Sequence, residues 1–195
     1  MRYIDKNTNR AAGNQVTQDY LDGHCKDAGG HYSGITYRNR RRTTYPEFCS
    51  CGSPTYYNRM VRLLLNEQND RCCYCLRRLN FVTPDHDEAV TIEHIVPQSI
   101  TIARQAEFDQ YRTFAPNINT NVVLKDRFES TPGPQHTPPF PHTIAYDNMV
   151  ASCNGSFPPG VGSKACCNGK RENYMALPVY FRSDIAQSLD YTSVH

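Results

Sequence analysis

The sequence predicts a mixed α+β fold with a small core, and three observations lead to this expectation. SPTYYNRMVRLLLNEQN, at 53–69, repeats apolar residues at helical spacing. AVTIEHIV, at 89–96, is rich in β-branched residues and stops before a proline, as strands do. Only 38% of the 195 residues are apolar, with 13 prolines and 11 glycines. We therefore expect much of the chain to lie in loops.

The helix predicted at 53–69 has a start signal and an apolar face. Ser53 is the expected N-cap, and Pro54 suits the first helical position. The face consists of Tyr57, Met60, Val61, Leu64 and Leu65. This helix would deliver the chain directly into a group of cysteines.

Other segments carry weaker patterns. The first fifty residues show little periodicity, so no long element is expected there. A helix is predicted within 98–114, a short strand within 121–128 and a second strand in AYDNMVASC at 145–153. TPGPQHTPPFPH, at 131–142, holds five prolines and should form a stiff loop. A further helix can begin after Cys167, and the tail segment SDIAQSLDY can hold another turn or two.

Nine cysteines occur in a chain whose N-terminus, MRYIDKNTNR, lacks the apolar stretch of a secretion signal. No run of about eighteen apolar residues is present either, so we expect a soluble, cytoplasmic protein without a membrane partner. Because a reducing cytosol disfavours disulfides, metal binding is the better use for clustered thiols. The net charge is only +2 and does not by itself indicate nucleic acid, although the run RNRRR at 38–42 is strongly basic.

Cys72 and Cys75 have the CxxC spacing of a zinc knuckle, in which one tight turn supplies two thiolates. A second group, Cys153 with Cys166 and Cys167, lies far along the chain, and two such groups commonly complete one Cys₄ zinc site. The rival is a thioredoxin-like redox pair, which wants its CxxC to open a helix after a strand. Here the motif follows a helix, so we expect structural zinc.

Four motifs occur in order: CCYC, IEHIVP, NMVASC and CCNGK. Together they resemble the HNH endonuclease family and its ββα-metal fold. The resemblance is closest to the PtuB-like HNH nucleases of Septu and retron-associated anti-phage systems, which also open with a MRxIxK motif, here MRYIDK. It covers roughly 53–180 and implies a loop-rich N-terminal arm at 1–52, a nuclease domain at 53–180 with a proline-rich insertion near 131–142, and a tail at 181–195.

The resemblance implies a role for each matched residue. His94 would take a proton from the attacking water, and Asn148 would tie the loop after the first strand and so hold His94 in register. Glu93 and Asn168 would supply oxygen ligands to a catalytic Mg²⁺ or Mn²⁺. Structural zinc would be held by Cys72, Cys75, Cys153 and Cys167. Phosphate contacts would come from Lys170, Arg171, Arg77 and Arg78.

Several assignments stay open at this level. Cys166 can replace Cys167 at the zinc, Asn154 can replace Asn168 as metal ligand, and Asn121 is an alternative to Asn148. A second zinc site could form from Cys25, Cys49 and Cys51 with His24 and His31, against the simpler interpretation of unligated thiols.

The expected function is that of a metal-dependent endonuclease, with DNA as substrate and tRNA or other RNA as the alternative. The family likeness implies a role as effector of bacterial antiviral defence, with a PtuA-like ATPase of the ABC or SMC type as partner. Two other classes compete with this reading. One is a zinc-ribbon module that binds nucleic acid without cutting it, and the other is a thiol oxidoreductase with a reactive Cys72 or Cys75.

Overall fold

A computed structural model of the chain describes residues 3–26, 29–30, 44–80, 90–115, 118, 121–130 and 138–153. Within these ranges the helices are α1 (Arg10–His24), α2 (Tyr45–Ser50), α3 (Tyr56–Gln68), α4 (Gln105–Arg112) and α5 (Lys125–Ser130). The strands are β1 (Thr91–His94), β2 (Val122–Val123), β3 (Phe140–Pro141) and β4 (Met149–Ser152). The predicted α+β class is confirmed. None of these helices has the length and apolar character needed to cross a membrane.

The central element is the antiparallel pair of β1 and β4, in which His94 lies opposite Met149 and Thr91 opposite Ser152. Both strands were predicted, but β1 is shorter than the apolar stretch at 89–96. The Ile95 N–H still donates to the Asn148 carbonyl, but the Asn148 N–H donates to Ala145 and is lost to the ladder. Val96 then bonds with its N–H and C=O to the side chain of Asn148, so the strand ends at His94. A second, parallel pair joins β2 to β3.

β4 is bonded on its other side by a side chain. The amide of Gln68, at the end of α3, accepts a hydrogen bond from the Ala151 N–H at 2.7 Å and donates one to the Ala151 carbonyl at 2.8 Å. The Cys73 N–H donates to the same carbonyl at 3.0 Å. Hydrogen bonds therefore join three segments side by side: the turn at 70–79 (the cysteine turn), β4 and β1.

The expectation that the first fifty residues lack a long element was wrong, because α1 has 15 residues. Its buried positions fall at helical spacing but include a glycine and a threonine, so the stripe is not apolar in the sequence: they are Gly13, Val16, Thr17, Tyr20 and Leu21. The glycine allows close packing, since a methyl group at this position would overlap the ring of Tyr146.

The start of α3 also differs from the prediction. Its N-cap is Thr55 rather than Ser53, and Pro54 precedes the helix instead of opening it. The Thr55 hydroxyl accepts a hydrogen bond from the Asn58 N–H at 3.2 Å, which satisfies a backbone donor of the first turn. The predicted apolar face is confirmed: Met60, Val61, Leu64 and Leu65 are buried and Tyr57 is partly buried.

The remaining described predictions hold in part. A short 3₁₀ turn at Ile102–Arg104 and α4 lie within 98–114, and β2 lies within 121–128 but passes directly into α5. The end of the proline-rich segment contributes β3, so it is not wholly irregular. Residues 131–137 and everything after Cys153, including the helix and tail predicted there, lie outside the described residues.

Buried charges join the N-terminal segment to α3 and β4. Lys6 and Glu67 form an ion pair at 2.5 Å, and each side chain is 1% exposed. Lys6 also donates to the Met149 carbonyl, while the Tyr146 hydroxyl donates to Glu67. Lys6 therefore fastens the start of the chain to β4 and α3 at once.

Candidate metal centre and histidine site

Three cysteines converge where the turn after α3 meets the end of β4. The Sγ atom of Cys153 lies 3.8 Å from the Sγ of Cys72 and 3.8 Å from the Sγ of Cys75. All three sulfurs lie within 4.8 Å of one another. A tetrahedral zinc with Zn–S bonds of about 2.3 Å requires S···S separations of about 3.8 Å, whereas a disulfide requires about 2.05 Å. The donor set and its spacing fit zinc.

The backbone of the turn at 70–79 prepares this arrangement. Arg71 and Arg78 form an antiparallel bridge, and within it the Cys72 N–H donates to the Arg77 carbonyl and the Leu76 N–H to the Cys72 carbonyl. Leu76 has a φ of 60°, which lets the chain reverse. The turn follows α3 and opens no helix, unlike the turn of a thioredoxin-like pair.

The surroundings of the Cys72 thiol favour its ionised form, the thiolate. Hydrogen bonds from the Cys73 side chain and from the backbone N–H groups of Cys75, Cys153 and Tyr74 lower the pKa of Cys72 to about 4, although burial acts in the opposite direction. One of these donors, the Cys153 N–H, lies 3.3 Å from the sulfur. Metal ions bind the thiolate, so this environment favours a ligand rather than a neutral core cysteine.

The described residues supply three of the four ligands that a tetrahedral zinc site needs. Cys166 and Cys167, the two predicted candidates, are outside the described residues. The proposed second zinc site finds no support in the described part of the chain, where Cys25, Cys49, Cys51 and His24 do not converge as a metal-binding group; His31 is not described. Burial raises the pKa of Cys49 to about 11, against a hydrogen bond with Tyr45 that lowers it.

His94 ends β1 and is only 5% exposed. Its Nε2 lies 3.0 Å from the carbonyl oxygen of Thr143, and its Nδ1 lies 3.3 Å from the side-chain nitrogen of Gln98. A carbonyl only accepts, so in the neutral ring Nε2 carries the hydrogen and the basic lone pair lies on Nδ1. The fold thus selects one tautomer of this histidine.

Asn148 makes the hydrogen bonds expected of it. The side chain is fully buried, accepts from the Val96 N–H at 2.7 Å, and donates to the carbonyls of Val96 at 2.9 Å and His142 at 2.6 Å. The loop after His94 is thereby tied to the segment before β4. The role of Asn148 in a reaction stays a prediction. Asn121, its alternative, lies next to β2, where its carbonyl accepts from the Phe140 N–H.

Tyr45, at the start of α2, covers the histidine from one side. The two ring centroids lie 4.6 Å apart with the planes at 86°. Burial raises the pKa of Tyr45 strongly, with further contributions from Cys49, Tyr57 and Glu93. This electrostatic influence places Glu93 near the same tyrosine.

Glu93 is the one predicted ligand of a catalytic ion that the structure describes, and it is 6% exposed. Its carboxylate belongs to no group of three or more acidic, histidine or cysteine ligands among the described residues. The second predicted ligand, Asn168, and its competitor Asn154 lie outside them. The carboxylate of Glu93 is a hard oxygen donor of the type that Mg²⁺ prefers, and its role as a ligand stays a prediction.

The predicted phosphate contacts are only partly described. Arg78 is exposed and Arg77 partly exposed on the cysteine turn, where Arg71 faces Arg78 across the bridge. Lys170 and Arg171 lie outside the described residues. The described arginines therefore place positive charge beside the thiol cluster.

The sequence analysis did not foresee the residues that surround His94. They belong to segments remote in sequence or lack a motif of their own: Tyr45, Gln98 and Thr143. The one available signal was the position of Gln98, four residues after His94. His142, which precedes Thr143, is fully buried; its Nδ1 accepts from the Lys125 N–H at 2.9 Å, and its Nε2 has no hydrogen-bond partner among the described residues.

No protein-family model, curated protein or solved structure matches this chain.

Proposed function

We propose that this chain is a metal-dependent HNH endonuclease that hydrolyses phosphodiester bonds in DNA, with β1 and β4 as the hairpin of a ββα-metal core. The observation that carries the proposal is the 3.0 Å contact between His94 Nε2 and the Thr143 carbonyl, which leaves Nδ1 as the basic nitrogen of the neutral ring. His94 ends β1, and the strand paired with β1, which is β4, leads into the thiol cluster at Cys153. That combination fits a general base mounted on a zinc-braced scaffold.

The chemistry uses His94 as the base. Its Nδ1 accepts a proton from water as the water oxygen attacks phosphorus. The Nε2–H bond to the Thr143 carbonyl keeps the ring oriented and stabilises the positive charge that the ring gains. Tyr45 packs against the ring and Asn148 anchors the loop beyond it, so the base is held before substrate arrives.

Glu93 and Asn168 are the residues that would hold Mg²⁺ or Mn²⁺, which would stabilise the charge developing on the phosphate and the leaving oxygen. Arg77 and Arg78, with Lys170 and Arg171, would contact phosphates on either side of the cut without reading sequence.

We further propose that the nuclease acts as the effector of a bacterial anti-phage system controlled by a PtuA-like ATPase. The support is the family likeness, to which the structure adds one point. Ile4 and Lys6 of the opening MRYIDK are buried, and Lys6 forms an ion pair with Glu67 of α3, so these two residues of the motif belong to the core.

The test is a cleavage assay of the purified chain on plasmid DNA and on total RNA with Mg²⁺ or Mn²⁺, alone and with the ATPase encoded beside it. His94→Ala and Glu93→Gln should lose cutting by at least about 100-fold, since each removes a reacting group. Glu107→Gln, an exposed carboxylate on α4, is the matched control and should retain it. Binding without cutting under every condition would instead support the zinc-ribbon module.

A further inference from the structure

Gln98 is the residue that covers the basic nitrogen of His94. His94 is 5% exposed, while Gln98 is an exposed residue whose side-chain nitrogen lies 3.3 Å from Nδ1. The lone pair on Nδ1 accepts this hydrogen bond, because Nε2 already donates to Thr143. The amide nitrogen of Gln98 is therefore a hydrogen-bond partner of the basic nitrogen.

The loop that carries Gln98 is held from beneath. Asn148 bonds both backbone groups of Val96, and the Ile100 N–H donates to the Pro97 carbonyl at 3.1 Å. Because the backbone is hydrogen-bonded on both sides of Gln98, the range of positions that its amide can take near His94 is restricted.

We propose that Gln98 is a positioning residue that places the attacking water against Nδ1 of His94. The inference deepens the proposed nuclease function and rests on it. A hydrogen bond of 3.3 Å is long for an N–H donor, so a water molecule can replace it at little cost. The displaced amide then has both a donor and an acceptor with which to hold that water.

Hydrolysis combines one proton transfer with one displacement at phosphorus. One proton of the water passes to Nδ1, the water oxygen forms a bond to phosphorus, and the bond between phosphorus and O3′ breaks. The O3′ oxygen takes a proton from solvent water, and His94 later returns its proton to solvent. Gln98 gains and loses nothing in this sequence. It fixes the direction from which the water approaches.

The test compares Gln98→Met with wild type under the conditions in which wild type cuts. Methionine keeps the length of the side chain and removes both hydrogen-bonding groups, and the position is exposed, so folding should be retained. We expect kcat to fall roughly 10- to 100-fold with KM within about twofold, because orientation of the water is lost and substrate binding is not. Gln110→Met, at an exposed position of α4, is the matched control and should change neither.

A second readout does not depend on cutting. In ¹⁵N-labelled protein at one fixed pH, the Nδ1 resonance of His94 should move in Gln98→Met and stay unchanged in Gln110→Met, since only the first removes the donor to that lone pair. An unchanged kcat or an unchanged Nδ1 resonance in Gln98→Met overturns the role of Gln98 alone. Failure of wild type to cut any nucleic acid, with or without its ATPase, overturns the nuclease proposal and this role with it.

Discussion

The sulfur atoms of Cys75 and Cys153, 78 positions apart in the chain, lie 3.8 Å from each other. One sulfur comes from the turn after α3 and the other from the end of β4, so a metal ion bound here would join a helix to the sheet. Because bound metal stabilises only the folded state, such a link should add to the stability of the fold.

The first prediction concerns zinc. The purified chain should contain about one zinc per chain, and Cys153→Ser should lose most of it together with several kcal/mol of stability, since bound metal stabilises only the folded state. Metal analysis and thermal unfolding measure both effects. Cys51→Ser, outside the cluster, is the control and should keep its zinc. Full zinc occupancy in Cys153→Ser would rule out the site.

The second prediction concerns pH. Burial lowers the pKa of His142 to about 4 from its ordinary 6.5, so between these values the unfolded chain binds a proton that the folded chain does not. Stability contributed by the neutral ring should be complete above about pH 6.5 and should fall by roughly 2–3 kcal/mol as the pH approaches 4. Urea unfolding at several pH values measures it.

The matched variant is His142→Asn, whose carbonyl can still accept from the Lys125 N–H but cannot titrate. The difference in stability between wild type and this variant should narrow or reverse as the pH falls. A difference that stays constant from pH 7 to pH 4 would show that His142 does not contribute to acid sensitivity.

The third prediction compares two glycines of α1. Gly13→Ala should cost about 1–3 kcal/mol because the added methyl group meets the Tyr146 ring. Gly23→Ala should instead stabilise by about 0.5–1 kcal/mol, since its nearest neighbour is the Tyr56 hydroxyl at 3.5 Å and alanine favours a helix. Thermal unfolding should separate the two variants by several degrees. Equal melting temperatures would mean that α1 does not pack on Tyr146 as described.

The fourth prediction concerns the buried pair of Lys6 and Glu67. Lys6→Met should cost about 3–5 kcal/mol because it leaves a carboxylate buried beside Tyr146 without its cation. Adding Glu67→Gln should recover part of that loss, since the second change removes the stranded charge. Urea unfolding of the two single variants and the double variant gives the coupling between the residues.

The control for this pair is the exposed ion pair of Arg104 and Glu107, for which Glu107→Gln should cost less than about 1 kcal/mol. If Lys6→Met and Glu107→Gln lower the free energy of unfolding by similar amounts, the ion pair of Lys6 with Glu67 is not part of the core.

The sequence predicted the parts of this fold that local patterns encode. Periodicity predicted the apolar face of α3 and the strands β1 and β4. Ligand spacing predicted that Cys72 and Cys75 meet Cys153. The environment of His94 was not predicted, because Tyr45 and Thr143 reach it only through tertiary packing. The sequence did not predict α1 for a related reason. Two positions of its buried stripe, Gly13 and Thr17, are not hydrophobic, so the stripe shows no apolar periodicity.

The amide of Gln68 has a consequence for how molecules of this protein behave towards one another. By bonding the N–H and C=O of Ala151, it occupies the place that a neighbouring strand would take on β4. An exposed strand edge is a template on which another chain can add and begin aggregation. Here the Gln68 side chain bonds both backbone groups of Ala151, while the Cys73 N–H and the Lys6 ammonium bond the carbonyls of Ala151 and Met149 on β4. These groups are therefore not free to pair with a strand of a second copy.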